Sequence, residues 1–322
     1  MIAPAISVLV STRDRPEHVV DCVRSILASP ASDFEVIVVD QSSAANLDAA
    51  SAAVGPDPRL RWIPTRTKGL SVSRNIGIAQ ARAPIIAFTD DDCRIGPTWL
   101  PAIKHAFESD AQLALLFGTV SLRPEDRAVG YAAEFEPSLR RHFQGRFPDI
   151  RTQWGVGANM AIRRTVFARV GDFDPLLGAG APLLAGEDTD LTIRALAAGF
   201  KLEHVPEIGV LHLGIRRGDE AARLLRSYGT GLGAALAKHV RLGTLGAPGL
   251  LAGLVGHHGK RSVGNLMRGH RHPGFGLLAG ILFGASRAYA LPLDRTRGCF
   301  KSASTIDDGN SGLAPGIDEM QP

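Results

Sequence analysis

Ile85-Ile86-Ala87-Phe88-Thr89-Asp90-Asp91-Asp92 joins a short apolar run to three consecutive carboxylates. A run of this length ending in polar residues reads as a strand of an α/β sheet. In open sheets of that kind ligands bind beyond the carboxyl ends of the strands, where these acids fall. Like charges this close raise one another's pKa unless a cation neutralises them. Oxygen ligands in a tight cluster suit Mg²⁺ or Mn²⁺, ions that commonly also hold substrate phosphates. A solvated Asp-rich turn is the alternative, and position at a strand end weighs against it.

Upstream of the triplet, apolar runs alternate with amphipathic segments. Strands are expected at 5–11, 34–40, 59–63 and 85–89, and helices over Glu17–Ala28, with Val19, Val20, Val23, Ile26 and Leu27 on one face, and over Ser71–Arg82. This order predicts βαβ units and a mostly parallel central sheet flanked by helices. A further helix is expected after Pro97. Beyond residue 110 the pattern changes: strands at Leu113–Val120 and Ala158–Arg163 enclose an irregular stretch, 123–152, of the kind that often forms a mobile substrate loop. Gly186-Glu187-Asp188-Thr189-Asp190 introduces a helix to about Ala198, its acids suited to a positive helix N-terminus. A last strand contains His212.

The composition, 45% hydrophobic and 21% charged over 322 residues, is that of a globular protein with a sizeable core. Three scattered cysteines, Cys22, Cys93 and Cys299, form no metal or disulfide spacing and favour a reducing compartment, the cytoplasm. No signal-peptide pattern precedes the first strand, so secretion is not expected. The net charge of +4 hides a division. Residues 1–215 carry 22 Lys and Arg against 25 acids, residues 216–301 carry 14 against 3, and residues 302–322 carry none against 4. This predicts a catalytic domain over 1–215, a basic helical extension over 216–301 and a disordered tail over 302–322.

The turns after the first two strands, Ser11-Thr12-Arg13-Asp14-Arg15 and Asp40-Gln41-Ser42-Ser43, lack the glycine patterns of dinucleotide-binding and P-loop proteins. Hydroxyls, arginines and carboxylates instead converge on one crevice. A nucleotide fits this set, with Asp40 either bonding a base or ribose or capping the next turn.

The stretches Val8–Arg15, Val38–Ser43, Gly69-Leu70-Ser71-Val72-Ser73-Arg74-Asn75-Ile76-Gly77 and Phe88–Cys93, followed by Gly157-Ala158-Asn159-Met160-Ala161 and Gly186–Leu191, resemble family 2 glycosyltransferases of the GT-A fold. The resemblance covers roughly residues 5–215. It implies an inverting enzyme that moves a single sugar from a nucleotide-diphospho-sugar, with UDP favoured, to an acceptor hydroxyl in envelope polysaccharide or glycolipid synthesis. By similarity Ser11, Thr12, Arg13, Arg15, Asp40, Arg74, Asn75, Asp90 and Asp91 would lie along the donor. Asp92, Asp90 and His212 would hold Mg²⁺ or Mn²⁺, although a lone strand histidine is as often a packed residue. Of Glu187 and Asp188, the latter is the expected general base, on the face opposite the departing diphosphate; both could instead merely favour a helix start. Trp154, Gly157 and Asn159 would border the acceptor or sugar, unless Trp154 is core packing. The Gln-x-x-Arg-Trp motif of processive synthases is absent, which favours single transfer. Two rivals remain: an inactive nucleotide-sugar or glycan-binding protein of the same fold, and a sugar nucleotidyltransferase, whose glycine-rich N-terminal loop is missing.

The basic third admits two readings. Residues 219–239 suit a helix, whereas 242–259, uncharged but broken by Pro248 and six glycines, is not expected to span a membrane. The apolar stretch Phe275–Ala285, flanked by Arg268, Arg271, Arg287, Arg295 and Arg297, either lies on an anionic membrane surface, peripheral on its inner face, or packs on the core. Stacking aromatics are too few there for a nucleic-acid partner.

Overall fold

The computed structural model describes residues 3–145, 147–148, 154–267 and 274–301. The tail 302–322, Arg268, Arg271 and part of the 123–152 stretch lie outside the described residues. The chain opens as the alternation predicts, with β1 (Ile6–Thr12), α1 (Pro16–Leu27), β2 (Phe34–Asp40), α2 (Ala44–Val54), β3 (Leu60–Pro64), α3 (Leu70–Gln80) and β4 (Ile85–Asp90). Strands β1, β2 and β4 are buried on both faces, which is why they read as continuous apolar runs. Their parallel register aligns Thr12 with Asp40 and Ser11 with Asp90, so three polar strand ends emerge together. Pro16 opens α1 without loss of a hydrogen bond, and Val19, Val20, Val23 and Ile26 turn inward. Helix α2 went unpredicted because it has no apolar stripe; only Ala50 is buried, and the Ser43 hydroxyl caps its start.

After β4 come β5 (Cys93–Ile95), α4 (Trp99–Ser109), β6 (Leu113–Ser121), α5 (Pro124–Val129), β7 (Arg141–Phe143), β8 (Asn159–Arg163), α6 (Arg164–Val170), α7 (Glu187–Ala197) and β9 (Lys201–His212). The nine-stranded sheet runs β3-β2-β1-β4-β8-β6-β9-β5, with β7 also on β9. It is parallel from β3 to β4 and mixed beyond, because β8 is antiparallel to both β4 and β6. The expectation of a mostly parallel sheet therefore holds only for its first half. Two residues separate β4 from β5, too few for a parallel crossover, so β5 pairs antiparallel with the end of β9.

The basic third forms α8 (Gly218–Leu242), α9 (Ala247–Met267) and α10 (Gly274–Ala290), then the small hairpin of β10 (Leu293–Asp294) and β11 (Cys299–Phe300). The run read as broken by Pro248 is largely the helix α9, since Pro248 sits in its first turn, where proline is tolerated. Helices α8 and α10 run parallel, with Gly276, Gly280 and Gly284 against Ala222, Arg226 and Thr230 in turn. A Cβ at Gly284 would overlap the Thr230 carbonyl, and one at Gly233 the Ile281 carbonyl. Small residues at this seam let the two backbones touch. Phe275–Ala285 lies in α10 and packs against α8, while Phe275, Leu282, Phe283 and Tyr289 stay exposed. No helix among the described residues is long and apolar enough to cross a membrane.

A buried charge cluster fastens α8 to the sheet domain. The Lys238 ammonium donates to Asp174 at 2.7 Å and pairs with Asp190 at 2.6 Å, while Asp190 also accepts from Arg194 at 2.9 Å and meets His239 at 3.0 Å. Lys238, Asp174 and Asp190 are all fully buried. Burial alone would raise the Asp190 pKa, but the charges of Lys238 and Arg194 and the His239 hydrogen bond overcome it and hold the carboxyl well below its ordinary value. Its stabilisation is thus complete above the unfolded pKa near ~4 and is lost as pH falls toward the depressed folded value. We expect Asp190→Asn to lose about 3–5 kcal/mol at pH 7 and to show a shallower further loss toward acid pH than the parent in urea unfolding. At the helix seam, Gly284→Val should cost about 1–3 kcal/mol by overpacking, read as a lower urea midpoint.

Candidate functional site

The acids meet at the carboxyl edge of the parallel strands. Thr12, at the end of β1, donates its hydroxyl to Asp91 at 2.8 Å. Arg15, just past β1, reaches Asp91 at 3.1 Å and Asp92 at 3.2 Å. Ser11 shares a 2.8 Å hydrogen bond with Ser73 of α3. Arg74, buried on α3, bonds Asp90 at 3.3 Å, Glu187 at 3.0 Å and the Gly157 carbonyl at 3.1 Å. One guanidinium therefore links the triplet to the acid pair, Glu187 lying 113 residues beyond Arg74 in the chain.

Burial raises the Asp91 pKa to about 6, assisted by the Asp92 charge. Burial also acts to raise Asp92, but the hydrogen bond and charge of His212 lower it overall. His212 responds in the opposite sense, its ring lifted above the ordinary value by Asp92 against the pull of burial. The contact is 3.1 Å, from Nε2 to the Asp92 carboxylate. It exists because β5 and β9 pair with Cys93 opposite His212. The other ring nitrogen, Nδ1, is buried without a hydrogen-bond partner.

These observations test a divalent cation. Ligand atoms of Asp92, Cys93 and His212 lie within 4.8 Å of one another. Burial drives the Cys93 thiol far up in pKa, so it stays protonated and is a poor ligand. The Asp92 carboxylate and the His212 Nε2 facing it remain, an oxygen and an imidazole nitrogen that a divalent cation such as Mn²⁺ or Mg²⁺ accepts as ligands. Gly214 keeps this corner open, since a Cβ there would strike the Asp92 carboxylate.

The acid pair opens α7. Gly186 precedes it with φ 86°, a left-handed conformation that suits glycine. Glu187 is buried, and that burial, then the Asp188 charge, raises its pKa to about 7 against the influence of Arg74. Asp188 is half-buried, accepts from the Gly157 amide at 2.9 Å and from the Thr189 amide at 2.6 Å, and so has a fixed orientation. Gly157 has no Cβ to crowd the Arg74 guanidinium, 3.0 Å from where one would stand.

Other expected residues are placed differently. Asp40 caps the next turn, accepting from the Ser42 amide at 2.7 Å. Asn75 holds the Phe173 backbone through two hydrogen bonds, at 2.8 and 3.0 Å. Asn159 is fully buried and bonded to Trp99, Thr119 and Ile208, which leaves its amide inside the sheet. Trp154 is buried and stacks on Phe147, with centroids 5.9 Å apart. Arg13 is exposed and pairs with Asp14 at 3.6 Å. The sequence singles out neither Tyr131 nor Tyr228, whose rings lie 6.3 Å apart, because neither belongs to a motif.

Polar strand ends, a carboxylate triplet and a facing acid pair on an α/β sheet define the GT-A class of nucleotide-sugar transferase folds. The sequence profile of glycosyl transferase family 2 matches residues 7–171, and the chain belongs to that family. It is 30% identical over 69% of its length to the succinoglycan biosynthesis protein ExoO of Rhizobium meliloti, covering 64% of that protein. It is 26% identical over 54% of its length to a glucosyl-dolichyl phosphate glucuronosyltransferase of Haloferax volcanii, covering 57% of it. The chain thus spans less than two thirds of these relatives. Among solved structures, a mannosyltransferase of Pyrobaculum calidifontis, in complex with GDP-Man and Mn²⁺, superposes with a TM-score of 0.60 over 90% of this chain and 88% of that one, at 16% identity. TarS of S. aureus, residues 1–349, gives 0.55 over 78% and 69%, at 14% identity. Both support the fold.

Removing Arg74 leaves two acids facing one another without their cation. We expect Arg74→Ala to destabilise by about 3–5 kcal/mol, and Glu187→Gln in that background to recover part of the loss, as urea unfolding of the double-mutant cycle would show.

Proposed function

We propose that this protein is an inverting glycosyltransferase that moves one sugar from a nucleotide-diphospho-sugar to an acceptor hydroxyl in polysaccharide or glycolipid assembly. The observation that carries this reading is the pairing, through Arg74, of Asp90 in the strand-end carboxylate triplet with Glu187, the neighbour of the half-buried Asp188 at the start of α7. Residues 1–215 carry the chemistry and 216–301 brace it. The succinoglycan relative and the glucuronosyltransferase support the product class by their names, and UDP is favoured by analogy with the family alone.

In this reading Asp92 and His212, with Asp90 beside them, hold Mg²⁺ or Mn²⁺. The bound cation would neutralise the diphosphate as charge develops on the leaving group. Thr12 and Arg15 fix the Asp91 and Asp92 carboxylates in the orientation the donor meets. Arg74 offers a buried positive charge between donor and acceptor sides. Asp188, oriented by the Gly157 amide, accepts the proton of the acceptor hydroxyl as the new bond forms. Glu187 is the less suitable base because it is buried against Arg74. Attack from the Asp188 side, opposite the diphosphate, inverts the anomeric centre.

A thermal-shift screen of UDP-, GDP- and dTDP-sugars with and without Mn²⁺ tests the donor half. We expect one donor class to stabilise the protein, with the effect abolished by EDTA or by Asp92→Ala. For turnover, Asp188→Asn should lose at least ~100-fold in kcat while keeping donor binding. Donor binding without turnover under any condition, together with an unaltered Asp188→Asn variant, would favour a binding protein. Stabilisation that ignores the metal would remove the role given to Asp92 and His212.

A further inference from the structure

Helix α8 lies against the start of α7 more closely than side chains allow. A Cβ at Gly231 would overlap the Ala185 backbone, and one at Gly186 would come within 2.6 Å of the Gly231 carbonyl. Gly186 immediately precedes Glu187 and Asp188. Positions three apart share a helix face, so Tyr228 stands one turn before Gly231 on the side of α8 turned toward that acid pair. The Lys238–Asp190 pair, lower on the same helices, fixes this placement.

Tyr131 approaches from the other chain direction. Its amide donates to the Arg216 carbonyl at 2.8 Å and its carbonyl accepts from the Arg216 amide at 2.9 Å. This bridge seats residue 131 four residues beyond His212, where β9 leaves the sheet. The stretch expected to be a mobile loop is therefore anchored at this point. The rings of Tyr131 and Tyr228 stand 6.3 Å apart and tilted by 59°, both half-buried. Neither hydroxyl makes a hydrogen bond to a described residue. Burial, then the neighbouring Tyr131 and the charges of Asp90, Glu187 and Asp188, raise the Tyr228 pKa, so its hydroxyl stays protonated.

Two half-open aromatic rings with free hydroxyls, set beside carboxylates, match one ligand chemistry well. A pyranose presents an apolar face of C–H groups for an aromatic ring and a rim of hydroxyls for phenol and carboxylate partners. An alkyl chain would use the rings and leave the hydroxyls and acids unsatisfied. We propose that Tyr131 and Tyr228 form the acceptor seat, holding a pyranosyl residue by its ring face so that one of its hydroxyls meets Asp188. This rests on the glycosyltransferase reading and makes α8, the first helix of the C-terminal extension, part of the substrate site.

Saturation-transfer NMR tests the seat without requiring turnover. The full chain with UDP and Mn²⁺ is mixed with methyl glucoside, methyl galactoside, methyl mannoside, N-acetylglucosamine and cellobiose, and farnesyl phosphate is run as an apolar control. On aromatic irradiation, ring protons of at least one saccharide should receive saturation. We expect that signal to fall at least fivefold in Tyr228→Leu and in Tyr131→Leu, and to persist in Tyr228→Phe, with folding checked by the thermal unfolding midpoint. An equal signal in the folded leucine variants, no transfer to any saccharide, or transfer confined to farnesyl phosphate overturns the seat. Donor hydrolysis by the parent protein separates the two failures: hydrolysis without saccharide transfer rejects only the acceptor seat, whereas neither donor stabilisation nor hydrolysis with any nucleotide sugar rejects the glycosyltransferase reading as well.

Discussion

The arrangement depends on a single constraint: five carboxylates, Asp90, Asp91, Asp92, Glu187 and Asp188, gathered at one end of a sheet. Left to themselves they would repel and take up protons. Arg74 relieves the conflict at its centre, holding Asp90 and Glu187 from a buried position with the Gly157 carbonyl as third partner. Arg15 and His212 do the same at the rim, for Asp91 and Asp92. A set of acids balanced by too few cations is poised to take a further positive charge. That is the physical case for a divalent ion here, made from the charges present.

A second charge cluster shows how the C-terminal helices enter the site. Asp190 lies two residues past Asp188 on α7, and its carboxylate is held by Lys238, Arg194 and His239. Such buried groups contribute little net stability over apolar packing, but breaking one partner is costly, so they fix a unique alignment. Here they fix α8 against α7. The glycine contacts of Gly186 with Gly231, and of α8 with α10, complete a column from the acid pair to the outermost helix. The extension thereby reaches the start of α7 as well as forming a basic appendage.

Much of the fold was legible along the chain. Continuous apolar runs such as Phe34–Asp40 gave away strands buried on both faces, and the three-to-four residue spacing in α1 gave away its inward stripe. Helix α2 escaped because its face is mostly solvated. Strand β5 escaped because three residues carry no periodicity. At the site, polar residues at strand ends were visible as candidates, but their partners were not. Asn75 and Asn159 looked available and prove to be bonded within the scaffold.

By itself the sequence determined the strand ends, the acidic triplet, the acid pair at a helix start and the family they signal, because each is a local pattern of side chains on a predictable element. Only the tertiary structure decided which of these meet. Arg74 finds Glu187 across 113 residues, and His212 finds Asp92 through the pairing of β5 with β9. Tyr131 and Tyr228 come together from a loop and a distant helix. Such contacts depend on register and close approach between elements far apart in the chain, and no periodicity along one element encodes them.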